Sequence, residues 1–255
     1  MRQLQLEECK SICLEILQSL HNFCENNGIT YFLDSGTLIG CIRHEGFIPW
    51  DDDIDIIMPR DDYEKFISTY DEDGFTLYHF KKQTDYFYQF AKISKDGTII
   101  NEIDLPDIKD LGVNIDIFVM DGMPNNLLLR RFHQDFLLFF QKYRALMTKA
   151  GQAIPSLSFL FRWRWVDYFV NFIASRYSPQ MTKYCGNIIA TSIRHKEIPT
   201  KCFEKSVMMP FEGCNFRVPI GYDEYLTRMY GNYMTLPPKD KRVSNHNYEA
   251  FALFE

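Results

Sequence analysis

The stretch "FIPWDDDIDIIMP", residues 47 to 59, places Asp51, Asp52, Asp53 and Asp55 within five positions and then turns to isoleucine. Side chains of an extended chain alternate between faces, so Asp53 and Asp55 point one way while Ile54 and Ile56 point the other. The isoleucines read as the anchor of a buried strand, which leaves the two carboxylates facing each other. Carboxylates that close repel and hold a proton between them unless a cation intervenes. A set of hard oxygens suits Mg2+, with Mn2+ as the alternative. A matching unit occurs at "VNIDIFVMD", where Asp116 stands between Ile115 and Ile117. If the two strands are neighbours, Asp53, Asp55 and Asp116 form a three-carboxylate metal cluster; the plainer alternative is a solvated acidic turn. An EF-hand loop beginning at Asp51 is discarded, because its sixth position is Ile56 in place of glycine and its twelfth is Asp62 in place of glutamate.

Upstream, "LDSGTLIG" has the form of a strand, a turn and a helix start. Gly36 lets a backbone approach a ligand closely, Thr37 offers a hydroxyl and an amide, and the helix N-terminus directs further amides at an anion. A glycine turn, two acids on one strand and a third on another form the signature of the nucleotidyltransferase fold.

The elements that must hold these residues follow from periodicity. Residues 4 to 25 repeat apolar positions every three or four and stop at Asn26-Asn27-Gly28, which predicts an amphipathic helix with a glycine stop. Short strands are predicted at 29–33, 54–58, 75–80, 86–94, 98–103 and 113–119, and helices over "LIGCIRH" and "RDDYEKFISTY". Helical periodicity runs from about 125 to 193, and a last helix is predicted near 222–230. The expected fold is α/β (α+β): a mixed sheet flanked by helices (1–124), a helical middle (125–215) and a C-terminal motif returning to the site (216–255).

With 255 residues, 46% of them hydrophobic and 16% aromatic, the chain can bury a large core. A formal charge of −6 argues against a general nucleic-acid binder. The seven cysteines, at 9, 13, 24, 41, 185, 202 and 214, include no CxxC pair and read as reduced thiols of a cytoplasmic protein. Zinc at Cys185, His195, Cys202 and Cys214 is left open, although the spacing matches no standard site. No signal peptide or membrane-spanning stretch is read.

The segment "YFLDSGTLIGCIRHEGFIPWDDDIDIIMPRDDYEKF" (31–66) resembles the opening signature of the LicD family, phosphocholine transferases of bacterial surface glycans to which fukutin and fukutin-related protein are distantly related. "VNIDIFVMDGMP" (113–124) is similar to that family's second acidic strand, and "VPIGYDEYLTRMYGNYMTLPPKDKRVSNH" (218–246) to its C-terminal motif. The resemblance implies a nucleotidyltransferase-like core that moves a phospho-alcohol, typically phosphocholine, from a CDP-linked donor to a sugar hydroxyl of teichoic acid or lipopolysaccharide. By that likeness Asp53 and Asp55 bind Mg2+ against the donor diphosphate, Asp116 completes the site and is a candidate base, and Asp51 and Asp52 lie behind the metal or toward the acceptor. Arg43, His44, Lys92, Lys239, Arg242 and His246 become candidates for the donor phosphates; an arginine would give two parallel hydrogen bonds. Trp50 is either core packing or a wall for the base. The alternatives are a nucleotidyltransferase that attaches an NMP and releases pyrophosphate, and a non-catalytic nucleotide-binding module.

Two aromatic runs stay open between roles. "DYFYQF" (85–90) is a core strand or, with the tyrosines of the C-terminal motif, part of an aromatic box for a quaternary ammonium. "FLFRWRWVDYFVNFIASRY" (159–177) is a core-facing helix or an interfacial one that rests on a membrane, in a region, 127–183, with nine Lys or Arg against Asp135 and Asp167.

Overall fold

The computed structural model describes residues 1–84, 86–102, 108–153, 164–189, 196–243 and 248–253. Asp85 of the aromatic run, residues 159–163 of the basic aromatic segment, His195 and His246 lie outside the described residues.

In chain order the strands are β1 (Arg2–Gln3), β2 (Phe32–Leu33), β3 (Asp55–Pro59), β4 (Phe75–Tyr78), β5 (Ala91–Lys95), β6 (Thr98–Glu102), β7 (Asn114–Met123), β8 (Tyr184–Gly186), β9 (Ile198–Pro199), β10 (Ser206–Phe211), β11 (Cys214–Pro219) and β12 (Tyr248–Ala252). The helices are α1 (Leu6–Asn27), α2 (Ser35–His44), α3 (Arg60–Thr69), α4 (Leu127–Ala153), α5 (Arg164–Ala174) and α6 (Tyr222–Tyr230). This is the α/β architecture expected. The central sheet runs β2-β3-β7-β5-β4, with β3 parallel to β7 and the other pairs antiparallel.

Helix α1 stops where the sequence placed its glycine: Gly28 adopts φ 60°, and its amide reaches Cys24 and Glu25 carbonyls. Its buried face, including Cys13, Ile16, Leu17 and Leu20, packs on β7 and β5, while α3 packs on β3 and β7. The two helices meet where the Phe23 ring stands edge-on to Phe66 and Tyr70. The apolar side of the sheet is built from the alternation read in sequence: Ile54, Ile56, Ile115 and Ile117 are all fully buried.

The expected strand at 86–94 begins only at Ala91. Tyr86 instead joins a satellite core of Tyr78, Phe80, Ile108 and Leu111, with Phe87 and Tyr88 against it, so the successive rings gather in one cluster where strand geometry would alternate them between two faces. The helical stretch expected to 193 ends at Ala174, and β8 then pairs with the far end of β7. Strand β12 lies between β1 and β6, so both ends of the described chain close over one small sheet.

Candidate active site

Strand β3 begins at Asp55, so Asp53 sits in the irregular segment leading into it. The parallel register of β3 and β7 pairs Asp55 with Asp116, and the antiparallel register of β5 pairs Lys92 with the same Asp116. Residues directly opposite in a sheet share a face, so Asp55, Asp116 and Lys92 stand side by side across three strands. The Lys92 ammonium donates to Asp116 Oδ1 at 2.5 Å and to Asn114 Oδ1 at 3.0 Å, and lies over the rings of Tyr88 and Phe90.

The glycine turn sits directly on the acids. The Thr37 hydroxyl accepts from the Asp55 amide at 2.8 Å, which fixes where β3 starts, and the Asp34 amide bonds to the Asp55 carbonyl. Ser35 adopts φ 47°, a left-handed conformation that costs a non-glycine residue energy. A side chain at Gly36 would place its Cβ 2.6 Å from Asp51 Oδ2, so glycine is required for Asp51 to lie against the turn. Asp51, Asp52 and Asp53 bring one carboxylate oxygen each within 4.8 Å of one another. The acids thus form two groups that meet at Asp53: the run 51–53, and the strand residues Asp55 and Asp116 with Lys92.

Burial, followed by the charges of Asp53, Asp116, Asp34 and Asp51, holds the Asp55 carboxyl well above the usual carboxylate range. Burial also raises Asp34, opposed by hydrogen bonds from Tyr225 and Ser35. Cys13 of α1 lies beneath this cluster, and its thiol is pushed up by burial and by Asp53, Asp52 and Asp116.

The C-terminal motif reaches the same place. The Tyr225 hydroxyl of α6 donates to buried Asp34. Tyr230 bonds Ser35, and its phenol is raised by burial first and then by Asp34, Asp55 and Asp51. Tyr248 of β12 bonds Asp52. Arg43 donates to the Tyr233 carbonyl at 2.7 Å and to His44 Nε2 at 2.9 Å, and burial together with the charge of Arg242 lowers it. Arg242 in turn stacks over the Trp50 ring at 5.6 Å. Arg43, His44 and Arg242 are therefore brought together beside the acid run, with the half-buried Trp50 ring under Arg242. Lys239 is exposed on a 3-10 turn.

Sequence reasoning passed over Asp34, Tyr225, Tyr230 and Tyr248 as contributors to this site; of these, only Tyr225 and Tyr230 lie in the C-terminal motif whose tyrosines are candidates for an aromatic box. It also passed over the pairing of Arg60 with Asp121, a fully buried carboxylate that takes two hydrogen bonds from the guanidinium at 2.8 and 2.5 Å. That pair ties the start of α3 to β7, and Arg60 reaches Asn171 of α5 as well. The signal was present, since an acid near the end of the apolar run of β7 and an arginine opening the helix after β3 both need partners. Of the zinc candidates, Cys185 and Cys202 are buried near each other, whereas Cys214 lies on the β10-β11 hairpin and takes a hydrogen bond from Gln18.

The whole chain aligns with a protein of Haemophilus influenzae, lipopolysaccharide cholinephosphotransferase LicD, at 31% identity over 265 residues, covering 99% of this chain and 100% of the relative. The chain belongs to the LicD family. Membership makes it a transferase of phosphate-containing groups. The family described as LicD/FKTN/FKRP, nucleotidyltransferase domain, matches residues 28–100, which span the glycine turn, the acid run and Lys92. An uncharacterized protein of Rickettsia typhi is 33% identical over 84 residues (31% of this chain, 27% of that protein), and one of Rickettsia prowazekii is 36% identical over 66 residues (25% of each). In this LicD-family chain, then, the profile covers Asp51 to Asp55, while Asp116 and α6 enter the site through the fold.

Proposed function

We propose that this LicD-family chain transfers phosphocholine from a CDP-linked donor to a sugar hydroxyl of a bacterial surface glycan, lipopolysaccharide or teichoic acid, and releases CMP. The observation that carries the reading is the end-to-end similarity to a lipopolysaccharide cholinephosphotransferase together with the gathering of the acids at the glycine turn. The acceptor oxygen attacks the phosphorus that bears choline, a new P–O bond forms, the bond to the CMP oxygen breaks, and the acceptor proton passes to a carboxylate. Asp116 is proposed as that base. Arg43 and Arg242 are proposed to take the donor phosphates with the α2 amides at Gly36 and Thr37, and His44, Lys239 and His246 to assist them.

The donor set fits a hard divalent cation, because crowded carboxylate oxygens, with the Asp55 carboxyl raised by burial and by the neighbouring acids, are what such an ion relieves. Asp53, Asp55 and Asp116 are proposed to hold Mg2+ or Mn2+, with Asp51 and Asp52 behind; the ion would neutralise the donor diphosphate. Lys92 bonds Asp116, and so fixes the orientation of that carboxylate. The seven cysteines are all free thiols, in keeping with a reaction placed in the cytoplasm.

The test is calorimetric titration of CDP-choline, CDP-ribitol, CDP-glycerol and CTP, each with Mg2+ and with EDTA, followed by product analysis. Metal-dependent preference for CDP-choline and release of CMP are expected. Preference for CTP with release of pyrophosphate would establish the nucleotidyltransferase reading in its place, and binding of none would favour a silent module.

A further inference from the structure

Helix α4 points a row of large apolar side chains at solvent. Leu128, Phe132, Phe139 and Leu146 are 76%, 67%, 64% and 61% exposed. Their spacings of four, seven and seven residues keep them within an arc of about 40° on an ideal helix, along roughly 27 Å of its length. Helix α5 continues the surface, with Trp165 and Phe172 each 57% exposed and Tyr168 46%. The two rows flank one aromatic seam, in which Phe136 and Phe140 of α4 pack on Phe169 of α5 and Trp165 borders Phe169. Isolated apolar side chains on a surface are ordinary, but a continuous face of this extent marks a binding surface.

The charge around the face says what covers it. Arg131 and Lys142 are exposed on α4 beside the apolar row, with Asp135 the exposed acid among them. Arg176 is exposed at the end of α5, its guanidinium over the Phe172 ring at 5.6 Å. Asp167, the other acid of residues 127–183, is buried against Arg144 and gives nothing to the surface. A basic apolar face on a chain of net charge −6 is complementary to an anionic surface, and two copies meeting face to face would set cation against cation. Aromatic rings with cations dispersed among them are the composition that settles at the headgroup level of a bilayer. Among the described residues no helix is long and apolar enough to cross a membrane.

We propose that α4 and α5 form a docking face that lies in the plane of an anionic lipid bilayer, with Leu128, Phe132, Phe139, Leu146, Trp165 and Phe172 inserted and the arginines and lysine at the lipid phosphates. This assignment is independent of the donor and acceptor proposed above. The test is co-sedimentation of the full chain with vesicles of phosphatidylglycerol and phosphatidylcholine, or of phosphatidylcholine alone, at low and high salt. Two variants are compared, Phe132→Ser/Phe139→Ser and Arg131→Glu/Lys142→Glu, both on exposed positions and both checked for an unchanged thermal melt. The wild type is expected to partition onto the mixed vesicles at low salt, and each variant to bind about tenfold more weakly. No partitioning of the wild type, partitioning of both variants equal to that of the wild type, or a wild-type dimer that the variants dissolve in analytical ultracentrifugation would each overturn it, the last by making a second copy the occupant.

Discussion

Replacing Asp55 with asparagine is predicted to stabilise the protein while abolishing its activity. Asp55 and Asp116 are register partners on parallel strands, and two full charges about 5 Å apart in an effective dielectric near 20 repel by about 3 kcal/mol. The Lys92 ammonium on Asp116 offsets part of this, leaving on the order of 1–2 kcal/mol, or roughly 2–8 °C in Tm for a chain of this size. The sign follows from the raised Asp55 carboxyl. Protonation of Asp55 supports the fold fully below the ordinary carboxylate pKa, and that support is lost as pH rises through the raised value, so the wild type without metal is weakened toward neutral pH. The asparagine of the variant keeps the shape and the hydrogen bond from its backbone amide to the Thr37 hydroxyl without this dependence. Mg2+ at about a hundred times its dissociation constant adds about 2.7 kcal/mol to the wild type and little to Asp55→Asn, whose turnover falls by roughly a hundredfold or more. Differential scanning fluorimetry from pH 5 to 8, with Mg2+ and with EDTA, reads every part of this. A wild-type melt indifferent to Mg2+ together with an Asp55→Asn melt below it at neutral pH would refute the reasoning.

Three further outcomes are expected. Gly36→Ala sets a methyl 2.6 Å from Asp51 Oδ2; because a side-chain end can move aside, Tm should change little while kcat/KM falls by about tenfold or more, and a proportionate loss of both would mean that the turn is only structural. Arg60→Met leaves the fully buried Asp121 unpaired and should cost about 3–5 kcal/mol in denaturant unfolding, with much of it recovered in Arg60→Met/Asp121→Leu. Burial, with Lys81 nearby, pushes the His79 pKa down to about 3. Its neutral form therefore supports the fold above the unfolded value of about 6.5, and this support is lost as pH falls below it; His79→Phe should flatten that acid slope, and an NMR titration of His79 near its ordinary pKa would contradict the assignment.

Elements whose signal is local were legible in the chain. The three-and-four spacing and Gly28 defined α1, the spaced apolar positions of "YDEYLTRMY" defined α6, and the alternation around Ile54, Ile56, Ile115 and Ile117 told which sides of β3 and β7 face the core. Side-chain alternation depends only on covalent geometry, so the expectation that Asp55 and Asp116 share a face needed nothing beyond adjacency of two strands. The LicD resemblance, resting on residues 31–66, 113–124 and 218–246, pointed to the family that the full-length comparison shows.

What only the tertiary structure decided are pairings between residues far apart in sequence. Lys92 meets Asp116 because β5 lies antiparallel to β7 in one register, and a shift of one residue would turn it to the opposite face. Tyr225 reaches Asp34 across 191 positions, and Arg60 reaches Asp121 across 61. No local propensity encodes such partners; they are selected because a buried carboxylate left unpaired is costly. The exposed row on α4 is the complementary case. Its spacing is that of any amphipathic helix, and only the packing of Leu137 and Phe140 inward shows that Leu128, Phe132, Phe139 and Leu146 remain outside.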